Sequence, residues 1–254
     1  MAGQFIWSEL MTTNLEQSAA FFASLLDCDV ISTDEDPPSY FLAPKGTESP
    51  MCGLVAIKAE GGQRSHWVAT LMVDDLDQAI AFTEEAGGTL HAISDDVEGR
   101  AESDPRFAIV TDPQGAVVNL HQQVDGAIAT EDMPGMGQVA WIELLTTDRE
   151  AAAEFYKTVA DFEAGPAHER AEEGVAHVLS RGGRVIGLLR DLPAGSPVPP
   201  HWVFYRRVPD LDVAIKYVRA LGGFMYEEPA VVAGGRRVLM LDPTGAPVAL
   251  WAAV

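Results

Sequence analysis

Trp7-Ser8-Glu9-Leu10 returns as Trp141-Ile142-Glu143-Leu144, 134 positions on (141 − 7). Each copy runs through Thr-Thr-Asn/Asp into an Ala/Phe-rich stretch, Ala20-Phe21-Phe22 and then Glu154-Phe155-Tyr156. His66-Trp67-Val68 returns as His201-Trp202-Val203, and the Leu76-Asp77 word, closed by Gly87-Gly88, as Leu211-Asp212, closed by Gly222-Gly223. Asp112-Pro113-Gln114-Gly115 returns as Asp242-Pro243-Thr244-Gly245. A repeat of this length fixes the architecture before any local reading does. What both copies keep reads as scaffold, and what differs between them reads as site.

Each half splits again. Phe5–Leu10 alternates as a strand does, and Asn14 stands as an N-cap before the helical spacing of Leu15–Leu26. Strand-like pieces follow at Tyr40–Leu42 and Met51–Ile57. The next quarter repeats the plan: a strand over His66–Val73, a helix over Leu76–Ala86 ended by glycine, then strands at Thr89–Ile93, Phe107–Thr111 and Ala116–Gln122. Asp112-Pro113-Gln114-Gly115 has the chemistry of a β-turn. The expected class is α+β, four βαβββ modules in two lobes, 1–124 and 138–254, joined by a Gly/Pro-bearing linker at 125–137.

Composition narrows the partners. With 17 basic and 38 acidic residues the net charge is −21, which argues against nucleic acid. No apolar run reaches the length of a membrane span. The opening Met-Ala-Gly-Gln-Phe-Ile has no basic stretch and leads directly into the first repeat, so a cytoplasmic chain without a leader is expected. The two cysteines, Cys28 and Cys52, cannot staple two lobes and are expected reduced. No glycine-rich phosphate loop and no Gly-x-Ser-x-Gly elbow is present.

The repeated words together are Trp-x-Glu-Leu, Thr-Thr-Asp, Phe-Tyr, His-Trp-Val, Val-x-Asp-Leu-Asp-x-Ala-Ile, Gly-Gly and Asp-Pro-x-Gly. They resemble the vicinal oxygen chelate superfamily, which includes glyoxalase I, extradiol dioxygenases and bleomycin-resistance proteins. The resemblance covers nearly the whole chain and implies paired βαβββ modules wrapping cupped half-barrels. It does not imply one activity, because one fold hosts many chemistries. It also implies a divalent metal held by His, Gln or Glu on first and last strands. At those positions stand Trp7, Val68 or Ala69, and Asn119 in the first half, and Trp141, Val203 or Phe204, and Ala249 in the second. Indole and alkyl groups offer a cation no lone pair, so the usual ligands are absent, no residue is assigned to a metal, and the cofactor stays open.

Strand alternation places other groups on the same faces. Glu9, His66 and His121 form the catalytic candidates, with Glu9 as base and the two histidines as proton-handling or displaced metal-binding groups. Against this, His66 and Glu9 recur as His201 and Glu143, the mark of scaffold. Trp7, Asn119, Trp141, Glu143, His201, Tyr205 and Trp251 are the substrate-binding candidates. Trp67 and Trp202, on the opposite strand face, are expected to pack under helices. Arg106, Arg236 and Arg237 are expected as solvated hairpin charges. The functional expectation is a monomer that binds a small hydrophobic or aromatic metabolite in a Trp-lined cup. The alternative is a metal-dependent lyase, isomerase or dioxygenase acting through the first lobe.

Overall fold

The structure is a computed structural model that describes residues 4–33, 37–58, 64–96, 99, 101, 104–122, 139–170, 174–192, 195–196, 198–232 and 234–254. The linker expected at 125–137 lies outside the described residues. The chain is α+β and carries its βαβββ plan four times. The first quarter is β1 (Gln4–Thr12), α1 (Leu15–Leu26), β2 (Cys28–Ser32), β3 (Ser39–Pro44) and β4 (Cys52–Ala56). The second is β5 (His66–Val73), α2 (Leu76–Glu85), β6 (Thr89–Ile93), β7 (Phe107–Thr111) and β8 (Val117–Gln122). The third is β9 (Val139–Thr146), α3 (Arg149–Ala160), β10 (Glu163–Arg170), β11 (Gly174–Arg181) and β12 (Arg184–Asp191). The fourth is β13 (His201–Arg207), α4 (Leu211–Ala220), β14 (Phe224–Met225), β15 (Ala230–Val232), β16 (Gly235–Leu241) and β17 (Pro247–Ala253), where the short β15 is one strand more than expected.

The strands hydrogen-bond in the orders β2-β3-β4-β1, β5-β8-β7-β6, β10-β11-β12-β9 and β13-β17-β16-β14, with β15 added on β16. The described residues pack as two compact units. One falls within Met1–Trp7, Val68–Thr130 and Ile142–Trp202; the other within Ser8–Trp67, Glu131–Trp141 and Val203–Val254. Helices α2 and α3 pack together in the first unit, and α1 and α4 in the second.

Local chemistry explains the element ends. Each helix begins at a polar cap whose side chain accepts a backbone N–H three residues on: Asn14 from Gln17, Asp75 from Gln78, Asp148 from Ala151 and Asp210 from Val213. Asp27 and Asp161 take the left-handed conformation that stops α1 and α3. The Gly-Gly pairs after α2 and α4 divide the work. Gly87 and Gly222 take positive φ, while Gly88 and Gly223 lie so near a strand that an added Cβ would stand 2.5 Å from the Thr111 carbonyl or 2.7 Å from that of Leu241. The two Asp-Pro-x-Gly turns are held from inside. Asp112 Oδ1 accepts from the amides of Gln114 and Ala116, and Asp242 Oδ1 from those of Thr244 and Ala246.

The two cores are variations on one theme. In the first unit Trp202 and Tyr156 meet edge to face at 5.0 Å; in the second Trp67 and Phe22 do so at 5.5 Å. Both tryptophans are buried against helices, as the strand alternation requires.

Candidate functional site

In the first unit, Val118 and Leu120 of β8 are fully buried, which leaves Val117, Asn119 and His121 on the opposite face. Thr70 lies opposite Asn119 and Met72 opposite His121 on β5; Ile109 and Phe107 are their partners on β7. Ala69 pairs with Val118, so the β5 residues that share the Asn119 face are Val68, Thr70 and Met72. That register selects Val68 over Ala69 at the position where the resemblance implies a ligand. Asn119 Oδ1 is buried with no hydrogen-bond partner among the described residues. Burial holds the His121 imidazole below the ordinary histidine pKa, partly offset by the Gln122 backbone.

The same unit holds Glu143 fully buried beside Arg190, whose Nε donates to Glu143 Oε2 at 3.0 Å. Register explains the pairing: Leu188 lies opposite Glu143, and Arg190 opposite Leu145, two residues along the same face. His201 Nδ1 lies 2.8 Å from the Pro199 carbonyl, and burial lowers its pKa. In the second unit His66 repeats this contact, with Nδ1 at 2.8 Å from the Arg64 carbonyl. A carbonyl only accepts, so each ring donates from Nδ1 to its own strand start. Each histidine therefore has a structural bond that explains its recurrence.

Tyr205, in the second unit, is fully buried, and its hydroxyl accepts from Arg237 Nη1 at 2.9 Å. The same nitrogen donates to Glu227 Oε2 at 3.0 Å, and the guanidinium lies 5.5 Å over the Tyr205 ring. Arg237 is thus not the solvated hairpin charge expected of it; it is 1% exposed, because β16 turns it to the face that bears Tyr205 rather than to the hairpin edge. Arg106 and Arg236 do lie in exposed pairs, with Asp77 and Asp95 and with Asp212. Trp251, the cross-strand partner of Arg237, is half-buried and lies against Gly235, where a Cβ would stand 2.8 Å from the indole. Glu9 is half-buried in the second unit, on the strand face it shares with Met11. Trp7, in the first unit, and Trp141, in the second, are also half-buried.

Arg206 was not among the candidates. It is 2% exposed, donates to Ser8 Oγ at 2.8 Å and lies 4.8 Å over the Trp67 ring. The one sequence signal is a charge directly after the apolar Val203-Phe204-Tyr205. Beside it, among Phe22, Trp67, Phe204 and Pro247, is a cleft of about 10 Å³, room for about one water and not for a metabolite. Burial pushes the Cys28 thiol up to about 12 and also raises that of Cys52, so neither is an activated nucleophile.

Glu9 and His66 belong to one compact unit and His121 to the other. Among the described residues, no group of three or more His, Cys, Asp or Glu side chains is placed to hold a metal ion. The donor set at the implied positions (indole, alkyl and one amide oxygen) does not fit the divalent ion of the resemblance. Among the described residues no helix is long and apolar enough to cross a membrane.

Residues 8–121 match the model of a glyoxalase-like domain, and residues 138–250 that of the glyoxalase/bleomycin resistance protein/dioxygenase superfamily. The anthracycline biosynthesis protein DnrV of Streptomyces peucetius is 31% identical over 186 residues, 73% of this chain and 65% of that protein. The chain thus spans slightly under two thirds of DnrV. A putative glyoxylase, CFP32 of Mycobacterium bovis, is 28% identical over 252 residues, 94% of this chain and 91% of its own. Among solved structures, the 2,2',3-trihydroxybiphenyl 1,2-dioxygenase of Sphingomonas wittichii superposes with a TM-score of 0.66 at 16% identity, over 100% of this chain and 91% of the other.

Proposed function

Because this chain belongs to the glyoxalase/bleomycin resistance protein/dioxygenase superfamily, we propose that it binds a small, flat, hydrophobic or aromatic metabolite without a resident metal ion. The observation that carries this reading is the donor set: Trp7, Val68 and Asn119, with Trp141, Val203 and Ala249, stand where a cation would need lone pairs. The same substitutions supply apolar and aromatic surface with few polar groups, the usual character of a small-molecule site. Kinship with a protein of anthracycline biosynthesis supports a polycyclic aromatic as the ligand class. In this reading the chain works as a monomer, with Trp7 and Asn119 in the first unit and Trp141 and Trp251 in the second among the groups that meet ligand.

Two measurements on the full chain test it. Elemental mass spectrometry of protein purified without chelator should find no stoichiometric transition metal, including after incubation with Fe, Mn, Ni and Zn. A thermal-shift screen of hydroxylated naphthalenes, anthraquinones and related planar compounds should find at least one stabilising ligand. One metal per chain would replace this reading with the metal-dependent enzyme, with Glu9, His66 and His121 as the residues to mutate first. A metal-free protein stabilised by no planar compound would leave the binding reading without support.

A further inference from the structure

Asn119 Oδ1 is a buried acceptor with no partner among the described residues, on a strand face otherwise built from Val68, Met72, Ile109 and Phe107. A buried amide oxygen left without a donor has lost its water without gaining a partner. His121 follows two residues along the same face, about 7 Å away at the rise of a β-strand. An imidazole ring nitrogen at that place can act as a second acceptor. No Lys or Arg stands on this face of β5, β7 or β8 to donate to either group. Thr70, buried opposite Asn119, and Thr111, opposite Val117, are hydroxyl side chains on the same face.

We propose that Asn119 and His121 select a planar ligand that carries a neutral hydroxyl, which donates its proton to Asn119 Oδ1 while the ring lies on Phe107, Ile109 and Met72. This rests on the metal-free binding reading and sharpens it, since a face of acceptors without a cation discriminates by donors. A ring hydroxyl satisfies the amide. Its methyl ether cannot, and a phenolate would set negative charge against an acceptor. The discrimination is strong because rejecting the ether reflects an acceptor left unpaired rather than one lost contact.

Calorimetric titration of the full chain with 2-naphthol and 2-methoxynaphthalene, in wild type and in Asn119→Leu, tests this. In wild type the ether should bind at least tenfold more weakly. In Asn119→Leu the two should bind within about twofold of each other, through loss of 2-naphthol affinity. The variant should melt no lower than wild type, since leucine of similar size replaces an amide without a partner. If wild type binds both compounds equally, or if Asn119→Leu keeps the preference, the proposal is overturned while metal-free binding stands. If neither compound binds wild type while another planar compound does, the hydroxyl assignment is also overturned. If no planar compound binds, both readings fall.

Discussion

The two compact units use the same repeat words to solve the same problem differently. In each, the aspartate of an Asp-Pro-x-Gly turn is buried and needs a donor for its second oxygen. In the first unit the donor is the Tyr156 hydroxyl, 3.2 Å from Asp112 Oδ2, which itself accepts from Trp202 Nε1 at 3.0 Å. In the second the donor is Ser18, 3.1 Å from Asp242 Oδ2 and 2.8 Å from the Thr12 hydroxyl, while Trp67 Nε1 donates to the Pro247 carbonyl instead. Tyr156 and Phe22 are repeat equivalents (156 − 22 = 134), as are Ser18 and Ala152 (152 − 18 = 134). One unit keeps its hydroxyl at the end of an aromatic ring, the other one turn earlier on a serine. The aspartate is common property, and its partner is where the copies have diverged.

A second contrast concerns the repeated glutamate. Glu143 is buried with Arg190, whereas Val55 occupies the corresponding place beside Glu9, since Met11 pairs with Val55 as Leu145 pairs with Arg190. The kept glutamate is therefore not kept for one reason. Removing Arg190 should have the largest effect: Arg190→Met leaves a carboxylate buried without its cation, at a cost of about 3–5 kcal/mol. Adding Glu143→Leu should recover most of that loss, because replacing both charges by apolar groups is often neutral. Urea unfolding of the single and double variants checks this. A double variant no more stable than Arg190→Met would mean the pair does not explain the burial of Glu143.

The turn partners come next. Tyr156→Phe removes one hydroxyl and leaves both Trp202 Nε1 and Asp112 Oδ2 short of a bond, so a loss of about 2–3 kcal/mol is expected. Ser18→Ala interrupts only the chain from Thr12 to Asp242, with an expected loss of about 1–2 kcal/mol. Equal losses would show that the extra indole bond in the first unit contributes nothing measurable.

How far the sequence reaches follows from which interactions are local. The caps at Asn14 and Asp75, the Gly-Gly helix ends and the Asp-Pro-x-Gly turns are legible because each is made by residues within a few positions of one another. The burial of Trp67 and Trp202 was legible through strand alternation. The partners of Asp112 and Asp242 were not, because Tyr156 and Ser18 lie in different quarters from the turns they hold, and words repeated in every quarter do not say which quarters meet. Arg190 and Arg206 were missed, and Arg237 was read as a solvated charge, for a related reason. Arginine in a strand reads as a surface charge until the partner that buries it is known, and the partners Glu143, Ser8 and Tyr205 come from other strands. Within the candidate site, alternation alone grouped Asn119 with His121, but only the β5–β8 register placed Thr70 and Val68 beside them.

The smallest expected effect is a pH dependence, and it bears on why the two turns chose different donors. Burial raises the Asp112 pKa above 3.8, opposed by the amides of Ala116 and Gln114 and by the Tyr156 hydroxyl. A carboxyl with a raised folded pKa binds its proton more tightly in the folded chain than in the unfolded one. Its contribution to stability is therefore full below about 3.8 and is lost as pH rises through the folded value. Asp112→Asn keeps an amide oxygen for the turn N–H groups and has no proton to lose. The stability of wild type relative to this variant should then decline from pH 3.5 upward and level off once Asp112 is ionised. Urea unfolding of both proteins at several pH values measures that difference, in which the other titrating groups largely cancel. A difference that instead grows with pH would mean the three donors outweigh burial, so that Tyr156 sustains a charged aspartate in the core. The tyrosine of the first unit would then be an electrostatic partner, and its divergence from Phe22 a functional change rather than an alternative way to fill the same space.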